Sequence, residues 1–145
     1  MAKTLTYRVK FELEDDAADP ADEERWDSGE IEFVPEDDAA TMLVSAGRLS
    51  VGASLETIPL ADLGEIEFIM VRAIGGPVNL VVEQTTLPAM TTQTVKLGRL
   101  QAGDAFPLRL WPEDGTTFQN TTLKVSAADV SGPYELRYWA YGPKA

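Results

Sequence analysis

Apolar and polar residues alternate with a period of two in short blocks along most of this chain, the mark of strands with one buried face. In residues 7–13 the alternation puts Tyr7, Val9, Phe11 and Leu13 on one face. In residues 30–34 it puts Ile31 and Phe33 on one face and Glu30 and Glu32 on the other, with Pro35 closing the segment. These two segments flank an acidic stretch and are expected to pair across it. From residue 55 the pattern is strongly β, with strands expected at 55–58, 65–73, 78–83, 93–97, 106–111, 122–127 and 134–141. Gly75-Gly76-Pro77 reads as a hairpin-like break between two hydrophobic strands, and Pro112-Glu113-Asp114-Gly115 as a turn. Residues 36–46 read instead as a short helix: acids at its start, Met42, Leu43 and Ala46 at helical spacing, and Gly47 where a C-cap would sit.

Short strands bounded by Gly and Pro turns, with no repeating strand-helix alternation, predict an all-β fold. The expected architecture is an antiparallel β-sandwich of jelly-roll type, or a barrel, with one short helix and an acidic N-terminal loop. A chain of 145 residues fits one domain. Within it, residues 1–54 would form the acidic hairpin and helix, and residues 55–145 the main sandwich. No internal repeat is present, which argues against a propeller or a solenoid.

Charge changes the picture by its placement. Twelve basic residues stand against twenty-four acidic ones, a net of −12, and residues 1–40 hold fourteen of the acids and four of the bases. The acidity is therefore local, concentrated in 14–24 and 36–38, where like-charge repulsion favours a solvated connection. A negative chain repels phosphate backbones and anionic headgroups, so neither nucleic acid nor a membrane is an expected partner. The longest apolar stretch, 66–74, is interrupted by Glu67 and Arg72. It is far short of the ~20 residues of a membrane helix. Met1 leads straight into the first alternating segment, so no signal peptide is expected.

Cysteine and histidine are both absent. That removes thiolate and imidazole chemistry: cysteine hydrolases, Ser-His-Asp triads, disulfide scaffolds and ordinary zinc sites. The acidic run lacks the ligand order of an EF-hand, so a solvated loop is preferred to a calcium site, with a recognition tail for a basic partner next. Glu65 and Glu67, or Glu83 and Glu135, could form a carboxylate pair of the glycosidase kind, but outward carboxylates are ordinary on strands. Ser45, Ser54 and Lys96 stand in no nucleophile motif. Asn120-Thr121-Thr122 is a sequon without a secretory context, and Gly75-Gly76 is followed by no lysine or helix start that would make a phosphate loop. No catalytic residue, cofactor or metal is expected, and the chain is read as a non-enzyme.

The aromatic residues are more telling. On 134–141, Tyr134, Leu136, Tyr138 and Ala140 share one face and Glu135, Arg137, Trp139 and Tyr141 the other. If one face meets the core, the other must meet a subunit or a ligand, or expose large rings to water. Trp111, Tyr138, Trp139 and Tyr141 are the expected interface residues.

Residues 55–142 also carry a succession of segments: Ile58-Pro59-Leu60-Ala61-Asp62-Leu63-Gly64, Phe68-Ile69-Met70-Val71-Arg72-Ala73 and Pro77-Val78-Asn79-Leu80-Val81-Val82. Leu100-Gln101-Ala102-Gly103-Asp104, Leu108-Arg109-Leu110-Trp111 and Tyr134-Glu135-Leu136-Arg137-Tyr138-Trp139-Ala140-Tyr141-Gly142 complete it. This rhythm of strands and leucine-spacer-glycine turns resembles small β-rich virion proteins of tailed bacteriophages; the acidic residues 14–38 have no counterpart in it. The resemblance implies a jelly-roll-like head decoration, capsid-stabilising or tail-associated protein, made in the host cytoplasm and located in the virion. It implies a homo-oligomer, with a trimer the first expectation, whose partners are phage capsid or tail proteins. The N-terminal arm through Leu13 is a candidate strand for donation to a neighbour. The rival reading is a carbohydrate-binding or adhesive β-sandwich whose exposed aromatics stack on sugar rings.

Overall fold

Residues 5–12, 25–33, 42–110 and 118–145 are described by a computed structural model, and the chain divides into two compact units, residues 1–40 and 41–145. In the first unit, β1 (Leu5–Tyr7) pairs antiparallel with β4 (Ile31–Phe33), and β2 (Lys10–Glu12) with β3 (Arg25–Asp27). Of the two alternating segments expected to pair, only Tyr7 of the first stands opposite the second, at Ile31; residues 10–12 pair instead with Arg25–Asp27, a strand that the alternation did not predict. Tyr7 stands opposite Ile31 and Lys10 opposite Asp27, so Arg8 and Val9 face three residues, Ser28, Gly29 and Glu30. The extra residue makes a β-bulge, and Gly29 fills it with a φ of +66°, a conformation that costs glycine little.

Local hydrogen bonds fix that bulge. Val9 N donates to Ser28 Oγ and Ser28 N to Val9 O, both at 2.9 Å. Gly29 N donates to Asp27 Oδ1 at 2.9 Å, and the Arg8 guanidinium donates to both oxygens of the same carboxylate, with Nε to Oδ1 at 2.8 Å. The Arg8 hydrogen bond, and then the Gly29 N–H, pull the Asp27 carboxyl from its ordinary 3.8 down to about 2. A depressed folded pKa gives stabilisation that is present above the unfolded value and lost as pH falls through the folded one. The Arg8–Asp27 pair is therefore expected to persist from neutrality to about pH 4 and to open as pH falls towards 2. An NMR titration of the Asp27 carboxyl carbon checks this, and a midpoint near 3.8 would refute it.

The second unit holds β5 (Met42–Val51), β6 (Glu56–Thr57), β7 (Phe68–Ile74), β8 (Val78–Thr86), β9 (Thr91–Leu100), β10 (Ala105–Arg109), β11 (Phe118–Ala127) and β12 (Tyr134–Pro143). Their pairing is nested. β8 pairs with β9, β7 with β10, β6 with β11 and β5 with β12, as in one long hairpin. Further β7–β12 and β8–β11 pairs then collect the strands into two four-stranded sheets, of order β10-β7-β12-β5 and β6-β11-β8-β9. Among the described residues the chain is all-β, and every strand pair is antiparallel.

One core is filled from both sheets by alternate residues. Val51, Ile69, Val71, Ala73, Leu136 and Ala140 come from the first sheet, and Val78, Leu80, Val82, Leu123 and Val125 from the second. The connection between β6 and β7 closes one end with Ile58, Leu60, Leu63 and Ile66. It is tied down by hydrogen bonds from Ile58 N to Leu123 O at 2.8 Å and from Gly64 N to Pro143 O at 2.8 Å.

Two expectations for the residues from 36 on also need correction. Residues 42–46, read as the second half of a helix, are strand, while 36–41 lie outside the described residues. The inward positions of β5 from Leu43 on are Leu43, Ser45, Gly47, Leu49 and Val51, so serine and glycine stand where an apolar beat is looked for. Across the sheet Tyr138 stands directly opposite Gly47, and a methyl group there would lie 2.6 Å from the Tyr138 hydroxyl. The ring on β12 fills the space the glycine leaves, so packing overrides local propensity. The second correction concerns Gly75-Gly76-Pro77, which joins β7 of one sheet to β8 of the other. It is a crossover between sheets, with Gly75 at φ +86° and the Tyr134 ring against Gly76.

Candidate functional site

The face of the β10-β7-β12-β5 sheet turned away from the core follows from register. Directly opposite residues in antiparallel strands share a face, and on β12 that face carries Glu135, Arg137, Trp139 and Tyr141. Against these, β7 supplies Ile74, Arg72, Met70 and Phe68, and β5 supplies Ser50, Arg48, Ala46 and Val44.

One end of this face is aromatic. The Phe68 and Trp139 rings meet edge to face with centroids 6.1 Å apart, and Trp139 stacks on Tyr141 at 6.2 Å with 16° between planes. Phe68 and Tyr141 are buried, whereas Trp139 and Met70 are half-buried and Val44 is exposed. Burial pushes the Tyr141 phenol pKa above its ordinary value, and Glu67 adds to the effect. Trp139 is thus the ring of the cluster that meets solvent, packed against the two buried rings.

The other end is cationic. Arg137 stands directly opposite Arg48 on one side and Arg72 on the other, so three arginines lie side by side across three strands. Adjacent β-carbons at such positions are about 5 Å apart, which makes the row roughly 10 Å long. Glu135 serves two of them, with Oε1 3.1 Å from Arg137 Nε and 3.5 Å from Arg48 Nε. Among the described residues no ion-pair partner lies within reach of Arg72. With Arg109, which is opposite Phe68 on β10, four of the chain's seven arginines are on this face.

Of the four residues expected at an interface, Trp139 and Tyr141 are together on this face. Tyr138 is on the opposite side of β12, packed on the core, and Trp111 lies outside the described residues. The arginine row and Phe68 escaped the sequence reading, because Arg48, Arg72 and Arg137 are far apart in the chain and only register aligns them. Among the carboxylates weighed for catalysis, Glu83 pairs with Lys124 at 2.7 Å and Glu135 with the arginines. Among the described residues no group of acidic side chains is placed to hold a metal ion, and no helix is long and apolar enough to cross a membrane. The acidic run 14–24 lies outside those residues. A largely apolar cleft of about 430 Å³ opens beside Leu60, Leu63 and Ile66, and none of the three aromatic rings lines it. Comparison with family models, with curated proteins and with solved structures finds no match.

Proposed function

We propose that this chain is a non-enzymatic structural protein of a bacteriophage particle, a capsid decoration or stabilising protein that self-associates and docks on the shell. The fold proposed for residues 41–145 is a β-sandwich of jelly-roll type. The nested pairing supports it: eight strands wound as one long hairpin into two four-stranded sheets that fill one core. Jelly rolls occur in viral capsid proteins, in lectins and in enzymes, so the fold by itself does not select among functions. The observation that carries the proposal is the outer sheet face, where a half-buried tryptophan, a methionine and a valine lie beside a row of arginines. Tryptophan, methionine and arginine are the residue types enriched where proteins meet.

The test is to purify phage particles from the cells that make the chain and quantify it in them by mass spectrometry. Many copies per particle are expected, with Trp139→Ala lowering that number at least tenfold while the free protein stays folded. Particles devoid of the chain would overturn the proposal. A second reading, a carbohydrate-binding or adhesive module, draws on the Trp139 ring stacked on Tyr141, a flat surface of the kind that packs on sugars. A glycan array with and without chelator separates the two, since a shell protein is expected to retain no glycan.

A further inference from the structure

The arginine row is costly as it stands. Like charges directly opposite on neighbouring strands repel, and here two such pairs share Arg137, with one carboxylate that reaches two of the three guanidinium groups. The row becomes favourable once carboxylates from elsewhere lie on it, because guanidinium–carboxylate hydrogen bonds are charge-assisted and directional. The chain itself holds a dense supply: residues 1–40 carry a net charge of −10, against −2 for the rest.

We propose that the arginine row binds the acidic N-terminal residues of a second copy of this chain. The inference rests on the self-association assumed in the proposed function and gives it a geometry. Two copies meeting row on row would set one set of arginines against another, so the row of one copy has to meet the acidic residues of the next. Such a contact either is reciprocal, closing a two-fold dimer, or repeats from copy to copy into a ring or a filament. The apolar end of the face, around Trp139, would lie at the margin of the same contact.

The experiment is the solution mass by light scattering of four proteins at about 0.05 M and about 0.5 M salt, the higher value screening exposed ion pairs. The wild-type chain is expected to exceed its 15.8 kDa monomer mass at low salt and to fall towards it at high salt. A face variant, Arg72→Gln with Arg137→Gln, and an acidic-run variant, Asp15→Asn, Asp16→Asn, Glu23→Gln and Glu24→Gln, are each expected to be monomeric at low salt. Mixed in equal amounts they are expected to form a one-to-one species, since one still offers an intact row and the other an intact acidic run. The fourth protein, Glu135→Gln, removes the competing carboxylate and is expected to tighten association several-fold, a gain that misfolding cannot imitate.

Three results overturn the proposal. Variants that keep the wild-type mass would show self-association through other surfaces. Variants that are monomeric alone and stay so when mixed would show that the two surfaces do not meet. A wild-type chain that is monomeric at low salt would remove self-association altogether, and with it that part of the proposed function.

Discussion

Replacing Leu136 by alanine is expected to destabilise the protein by about 3 kcal/mol, within the range of large-to-small changes at fully buried sites. Leu136 is wholly buried on β12, an inner strand of its sheet, with Leu49 opposite on β5 and Ala73 opposite on β7. The strands on both sides hold its backbone, so the cavity cannot close by a shift of β12 alone. The small Ala73 beside it offers no longer side chain to reach into the gap. Urea unfolding followed by tryptophan fluorescence measures the effect as a lower midpoint at unchanged slope. Val130→Ala, at a site 99% exposed, serves as the control and should leave the midpoint in place. A Leu136→Ala change below about 1 kcal/mol would show that the site collapses, and that the packing described is looser than its burial implies.

Gly142→Ala is expected to be at least as damaging, through crowding. A Cβ at position 142 would lie 1.9 Å from the carbonyl oxygen of Glu65 and 3.1 Å from its carbonyl carbon. Both are backbone atoms, so no side-chain rotation relieves the overlap. Either β12 or the 64–67 connection has to move, and the two are hydrogen-bonded on each side of the glycine. Gly64 N donates to Pro143 O at 2.8 Å and Glu67 N to Tyr141 O at 3.0 Å. Overpacking in a well-packed region costs about 1–3 kcal/mol and more where backbone is displaced, so a loss of about 3 kcal/mol or more is expected here. Gly52→Ala is the matching control, since nothing lies within 4 Å of a Cβ there. Equal midpoints for the two alanine variants would show that the connection yields freely.

The strands were legible because burial on one face writes a period of two into the side chains, and all seven segments expected beyond residue 55 hold a strand. β5 was hidden by Ser45 and Gly47 at inward positions, the second because the Tyr138 ring does the work that an apolar residue at position 47 would otherwise do. The N-terminal pairing was legible only in part, since Lys10–Glu12 pair with Arg25–Asp27 and not with the expected 30–34, and the bulge was hidden because Gly29 sits between polar neighbours that give a turn and a bulge the same appearance. Within the second unit, which strand lies beside which could not be read. Alternation reports the face a residue takes and says nothing about its partner, so Gly75-Gly76-Pro77 looks the same whether it turns a hairpin or crosses between sheets. The candidate face shows this division within one strand. Trp139 and Tyr141 could be grouped from their spacing on β12. Phe68 and the three arginines joined them only through pairings that span the length of the unit.

The nested pairing also sets the order in which this unit can be assembled. Its innermost contact, Thr86 with Thr91, closes a loop of a few residues, whereas the outermost, Met42 with Pro143, joins positions a hundred residues apart. Closing long loops costs entropy before the contacts are formed, and chains dominated by such contacts fold slowly. On the ribosome, β5 is among the first strands of its sheet to emerge and must wait for β12, the strand that separates it from β7. Until Tyr134–Pro143 is synthesised, β5 and β7 each expose the strand edge that β12 later covers, a template for pairing with another chain.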